Sequence, residues 1–329
     1  MENLTTTNTS AVVQRPLPPP TSFLTSNTWF IFTIFVSFSG TIIILILLAA
    51  SVQQRDLRVG TRILIIHLMC IQLLICSVLT PVQTIATYKV LIGQEIRLEC
   101  VPLQLLQFGA MYAENWSSAL LAINRFVAIQ LPHHYKKLLS ARIIGAMIIL
   151  PWIVGIGITV PLLFGIGGIF TWNPQAGICS AKPTGPYIVT LVALGAYVPI
   201  AVMGIVYVTI CVGLTWRRSR KIVGQGNPSV DITLQGARKT QRRQVAMTNM
   251  LVVSFLLYCI CFVPSPVIST NFPHLLVGNF MLQLWITKTL VLCNYAVNPV
   301  IFLVLSSDHR RGVSDLFTSA TRILRFIQH

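Results

Sequence analysis

The stretch Ala119-Leu120-Leu121-Ala122-Ile123-Asn124-Arg125-Phe126 closes an apolar run, about Val101–Asn124, with a polar triplet. A run of about 20 apolar residues is long enough to cross the hydrocarbon core of a bilayer as a helix. A charged side chain at the edge of such a segment is costly, so Arg125 marks a place of function in a membrane protein. Arg125 also lies 25 residues after Cys100, about the length of one span.

Working outward, six further stretches qualify: about Trp29–Ser51, Ile63–Thr87, Ile143–Gly165, Tyr187–Trp216, Val245–Thr270 and Phe280–Leu305. Of the 329 residues, 54% are hydrophobic and 10% charged, against roughly a quarter charged in a soluble domain. No alternating pattern of the β-barrel kind occurs, so the expected fold is an all-α membrane protein, a seven-transmembrane helix bundle.

The net charge of +16 sorts by side. Of 24 Lys and Arg, 19 follow spans one, three, five or seven, while Arg15, Lys89, Arg97 and Lys182 fall on the opposite side and Lys288 lies within a span. The positive-inside rule then puts the amino terminus outside and the carboxyl terminus in the cytoplasm of a multi-pass plasma-membrane protein. The basic excess is a topogenic and lipid-facing signal, and no nucleic-acid partner is implied.

Residues 1–28 are polar with a proline run at Pro16–Pro20 and are expected to form a disordered extracellular tail without a cleavable signal peptide. Two glycosylation sequons in it begin at Asn3 and Asn8; a third, at Asn115, falls inside a span and out of reach. Residues 29–305 form the membrane domain. Residues 306–329, with Val313, Leu316, Phe317, Ala320, Leu324 and Ile327 at helical spacing among arginines, read as an amphipathic helix on the inner leaflet.

Cys100 and Cys179 are the two cysteines on the outer, oxidising side and are expected to pair, tying the loop after span four across the bundle mouth. Pro81, Pro151, Pro161, Pro199, Pro264, Pro266 and Pro299 interrupt spans and provide points about which segments can rotate.

In order and register these residues resemble the rhodopsin-like (family A) G-protein-coupled receptors over about residues 28–327. Cys100, Arg125 and Trp152 match family positions, as does Pro199 with Tyr207. Cys261-Phe262-Val263-Pro264 stands for Cys-Trp-x-Pro, and Asn298-Pro299-Val300-Ile301-Phe302 for Asn-Pro-x-x-Tyr. The run Ala122-Ile123-Asn124-Arg125 is similar to melatonin receptors and related invertebrate orphan receptors.

The resemblance implies an extracellular ligand, a heterotrimeric G protein and arrestin as partners, membrane lipid around the bundle, no cofactor and no chemistry catalysed. Asn124, Arg125, Phe126, Tyr207, Asn298, Pro299 and Phe302 would form the G-protein-facing switch, and Gln72, Glu114, Phe262, Pro264 and Asn294 the conformational core.

The departures are informative. Asn124 replaces an acid beside Arg125, and Lys239-Thr240-Gln241-Arg242-Arg243-Gln244 before span six holds none, so an ionic lock with this region is not expected. Gln72 takes the place of the sodium-binding aspartate while Glu114 brings an acid into span three, either protonated, since burial disfavours the charged form, or holding a cation. Gln107 stands where monoamine receptors carry an aspartate, and Leu292 where opsins carry the retinal lysine. The expected ligand is therefore neither, with Gln104, Gln107, Lys288, Tyr258 and Trp285 as candidate contacts, Lys288 either meeting a ligand anion or pairing internally. The competing class is a seven-helix transporter or ion-conducting bundle, which needs several ionisable groups along one path; only Glu114 and Lys288 lie deep in spans.

Overall fold

The computed structural model describes residues 23–53, 61–94, 96, 98–131, 135, 139–173, 177–184, 187–223 and 248–327. Asn3, Asn8 and the run Lys239–Gln244 lie outside the described residues. Helix α1 is Phe23–Gln53. Helix α2 is Thr61–Leu74, a π-helical turn Ile75–Leu79 and Thr80–Leu91. Helix α3 is Cys100–Gln130, and α4 is Ala141–Thr159 with a tighter final turn Val160–Phe164. Helix α5 is Tyr187–Val192, a π-helical turn Ala193–Tyr197 and Val198–Val223. Helix α6 covers 248–262 and Pro264–Asn271. Helix α7 is Phe280–Leu284, a π-helical turn Trp285–Thr289 and Leu290–Leu305, and α8 is Ser307–Ile327.

All seven expected spans are helical over their described residues. Six are apolar and long enough to cross a membrane; the exception is α3. Its Gln104, Glu114, Asn115, Asn124 and Arg125 are all buried, which a lipid-facing helix could not sustain. Helix α3 is the hub instead, packed against α2, α4, α5 and the loop after α4, while α1 packs against α2, α7 and α8.

The wide turns in α2 and α5 follow from proline and are made tolerable by neighbours. Pro199 has no N–H for the Gly195 carbonyl, and that carbonyl instead accepts from Asn115 Nδ2 of α3 at 2.8 Å. The adjacent Leu194 carbonyl accepts from Trp116 Nε1 at 3.1 Å. In α2 the N–H of Thr80 reaches back to the Ile75 carbonyl, and the Cys76 carbonyl takes the Ser37 hydroxyl of α1. A buried carbonyl left bare in the membrane is costly, and in both of these turns it is matched by a side chain on a neighbouring helix.

The loop after α4 holds an element that the all-helical expectation omits, a hairpin of β1 (Gly168–Asn173) and β2 (Ile178–Pro183), antiparallel with Trp172 opposite Cys179. Cys179 is bonded to Cys100 at the start of α3, as expected, with Cα atoms 5.4 Å apart. Gly177 turns the chain at φ 61° where a Cβ would fall 2.7 Å from Val90 Cβ, and its carbonyl accepts from Thr87 of α2 at 2.8 Å. Phe170 stacks on Phe108 of α3. The hairpin is thus held to both α2 and α3.

Helix α8 begins two residues after α7 ends and is strongly amphipathic. His309 and Gly312 are buried, Val313 packs against the core, and Arg310, Arg311 and Phe317 are exposed.

Candidate functional site

Two sites lie at opposite ends of the bundle, joined by a polar core. At the disulfide end a cavity of about 390 Å³ is lined by α1, α2, α3, α5, α6, α7 and strand β2. Gln104, Gln107 and Lys288 line it, together with Phe262 and Leu292. Lys288 sits on the π-helical turn of α7 and donates to Gln83 Oε1 of α2 at 2.5 Å. Gln104 gives its amide N–H to the Cys179 carbonyl at 2.6 Å, so it fixes the hairpin while facing the cavity.

Tyr258 and Trp285, expected at the ligand, are not on this wall. Tyr258 points inward and donates to Asn115 Oδ1 at 2.8 Å, its ring stacked on Phe262. Trp285 packs against Phe32 of α1. Both are aromatic residues at helical spacing, and packing rather than the cavity claims them.

In the middle of the bundle Gln72 Nε2 donates to Glu114 Oε1 at 3.0 Å. Neither Gln72 Oε1 nor Glu114 Oε2 has a hydrogen-bond partner among the described residues. Glu114, Asn294 and Asn298 border a small cavity of about 20 Å³ that continues to Tyr207. Asn298 accepts from Ser254, joining α7 to α6. Asn115, whose sequon was expected to be unreachable, is 0% exposed, with both ends of its amide bonded.

At the other end Arg125 and Asn124 are 1% and 0% exposed. Arg125 lies within electrostatic reach of Tyr207, Tyr135 and Arg62. Phe126 packs on the core beside them, and Tyr207 leans on Phe255 of α6. Phe302 is 0% exposed and stacks on His309 of α8, whose ring is hydrogen-bonded to Ser306 at 2.8 Å. Trp152 of α4 donates to His67 of α2 at 3.0 Å, so the span-four tryptophan joins two helices through a histidine.

Sequence reasoning missed Gln83, Ser254 and His309. The signal for Gln83 was present: Gln83, Thr84 and Thr87 form a polar patch at helical spacing inside an apolar span, and all three line the cavity.

A seven-helix membrane bundle with a lidded cavity at one end and a buried arginine at the other is the architecture of a membrane receptor. The chain belongs to the 7 transmembrane receptor (rhodopsin family), whose profile matches residues 28–302. It is not an enzyme. It is similar to the D(3) dopamine receptor of Mus musculus, 25% identical over 54% of this chain and 40% of that protein. It is similar also to galanin receptor 2a of Danio rerio, 22% identical over 68% of this chain and 59% of the receptor. The chain therefore spans less than two thirds of either relative's length. Among solved structures, squid rhodopsin shares the fold with TM-score 0.75 at 18% identity, over 90% of this chain and 86% of the other.

Proposed function

We propose that this chain takes an extracellular ligand into the cavity beneath the hairpin and activates a heterotrimeric G protein at its Arg125 end. The observation that carries this reading is the presence of both sites in one bundle, linked through α3 by the polar core around Glu114 and Asn115. The bias of Lys and Arg supports a cytoplasmic Arg125 end and an extracellular amino terminus at the plasma membrane. Ligand binding shifts the population toward a conformation in which α6 swings away from α3 and a G-protein helix enters the groove beside Arg125. Arrestin is expected at the same face.

The ligand is neither a monoamine nor retinal. No Asp or Glu is found on the cavity wall among the described residues to pair an ammonium, and Leu292 stands where opsins carry the retinal lysine. The test is GDP release from G protein added to the purified chain in lipid nanodiscs. Ligand-dependent release that Arg125→Ala abolishes is expected. Ligand-driven solute flux without GDP release means a transporter.

In this proposal Glu114 is neutral. A hydroxyl on its Oε2 supplies a donor beside Gln72 and Tyr258, in a core where two acceptor oxygens otherwise go without one. Sodium and choline chloride at equal ionic strength are expected to give the same melting temperature for the purified chain. Stabilisation by sodium that Glu114→Gln removes would mean that the carboxylate holds a cation.

A further inference from the structure

Lys288 is the one charged side chain on the cavity wall among the described residues, and no carboxylate faces it there. Its hydrogen bond goes to the neutral amide of Gln83. An ammonium only donates, so Gln83 must turn its oxygen to Lys288 and leave Nε2 pointing elsewhere. Gln83 is 8% exposed, and Nε2 has no partner among the described residues. The α2–α7 side of the cavity therefore presents an uncompensated positive charge next to a spare amide donor. Gln107, on α3, contributes the opposite kind of group: its Oε1 is a buried acceptor with no partner among the described residues. Phe108, Met111, Leu191 and Val291 provide apolar wall.

We infer that the cavity takes an organic acid whose free carboxylate bridges Lys288 Nζ and Gln83 Nε2 and whose other end donates a hydrogen bond to Gln107 Oε1. This deepens the receptor reading and rests on it. A carboxylate supplies the missing countercharge and accepts from both donors at once, the strong charge-assisted arrangement. The far donor is neutral, a hydroxyl, amide or ring N–H, because no acid is at hand for an ammonium and Lys288 repels one. The volume of about 390 Å³ lies in the range of roughly 300–1,000 Å³ usual for small-molecule sites. A carboxylate can come from a small free acid or from the carboxyl terminus of a peptide.

The test uses the full chain in nanodiscs, read by melting temperature and by GDP release from added G protein. The probes are indole-3-acetate, indole-3-propanoate and indole-3-butanoate, their methyl esters and N-methyl forms, and N-acetyl-alanyl-tryptophan with a free or amidated carboxyl terminus. At least one free acid is expected to stabilise the chain at about 10- to 100-fold lower concentration than its ester. Lys288→Gln removes that preference and Lys288→Arg retains it. Gln107→Leu equalises an indole acid and its N-methyl form. Stabilisation by the indole acids alone points to a free metabolite, and by the free-carboxyl dipeptide alone to a peptide terminus.

The inference is overturned by silence of every acid at millimolar concentration, or by an acid preference that survives Lys288→Gln. Where Lys288→Gln does not fold, Gln83→Leu carries the test, and an unchanged acid preference in it overturns the bridge. Acid binding that leaves GDP release unchanged sinks the receptor reading but keeps the ligand class. GDP release driven by neutral ligands regardless of Lys288 does the reverse.

Discussion

Asn124→Asp is expected to lower ligand-free GDP release by about 5- to 150-fold, the span of a coupling free energy of about 1–3 kcal/mol. Asn124 and Arg125 are both buried in the half of α3 remote from the disulfide, where a new carboxylate is poorly screened. It attracts the guanidinium most strongly while Arg125 stays folded beside it, so it favours the resting arrangement over one in which Arg125 extends toward the G protein. The native Asn124 offers only neutral hydrogen bonds, worth about 1 kcal/mol each, so the wild type is expected to signal without ligand. Asn124→Ala serves as the control and should not lower release. Equal and near-zero release in wild type and Asn124→Asp sinks the idea, because other contacts would then already hold the receptor off.

Gly155→Leu is expected to prevent recovery of folded protein, and Gly155→Ala to lower the melting temperature measurably. A Cβ at 155 falls 2.7 Å from the Gly109 carbonyl oxygen and 2.8 Å from the Ala113 nitrogen, both backbone atoms of α3. Backbone cannot rotate aside, so α4 must move away from the hub. Overpacking of this kind costs about 1–3 kcal/mol for small additions and more for a branched side chain. Gly157 is the internal control, since a Cβ there meets nothing within 4 Å and Gly157→Ala should be silent. Equal melting of Gly155→Ala and wild type overturns the assignment of α3–α4 contact to this glycine.

The helices were legible because apolar runs of membrane length have few alternatives, and the ends were legible because Cys100 and Arg125 punctuate α3. Helix α3 itself is the weakest apolar signal and the most informative sequence, since its polar residues are affordable only at the centre. The hairpin was written in the loop as Ile169-Phe170-Thr171-Trp172, a turn ending in Gly177, and Ile178-Cys179, but short strands in a membrane protein are outweighed by helical context. The wide turns were half legible. Proline located those of α2 and α5, yet whether such a turn opens depends on a carbonyl acceptor finding Asn115 or Ser37 on another helix, which no local pattern encodes. The same limit explains Tyr258 and Gln83: whether a polar or aromatic residue serves ligand or packing is decided by the partner across the bundle.

Asn115 has one amide and two clients. Its nitrogen holds the opened turn of α5 and its oxygen holds the Tyr258 hydroxyl of α6. Two helices are in effect geared through a third, with a planar amide as the tooth. If Tyr258 leaves when α6 swings, the amide is free to turn, and the Gly195 carbonyl beneath the cavity loses its fixed donor. A displacement at the Arg125 end then loosens the cavity wall, and a ligand that stiffens this wall resists the displacement. Agonist and antagonist would differ here in which way they let one side chain rotate.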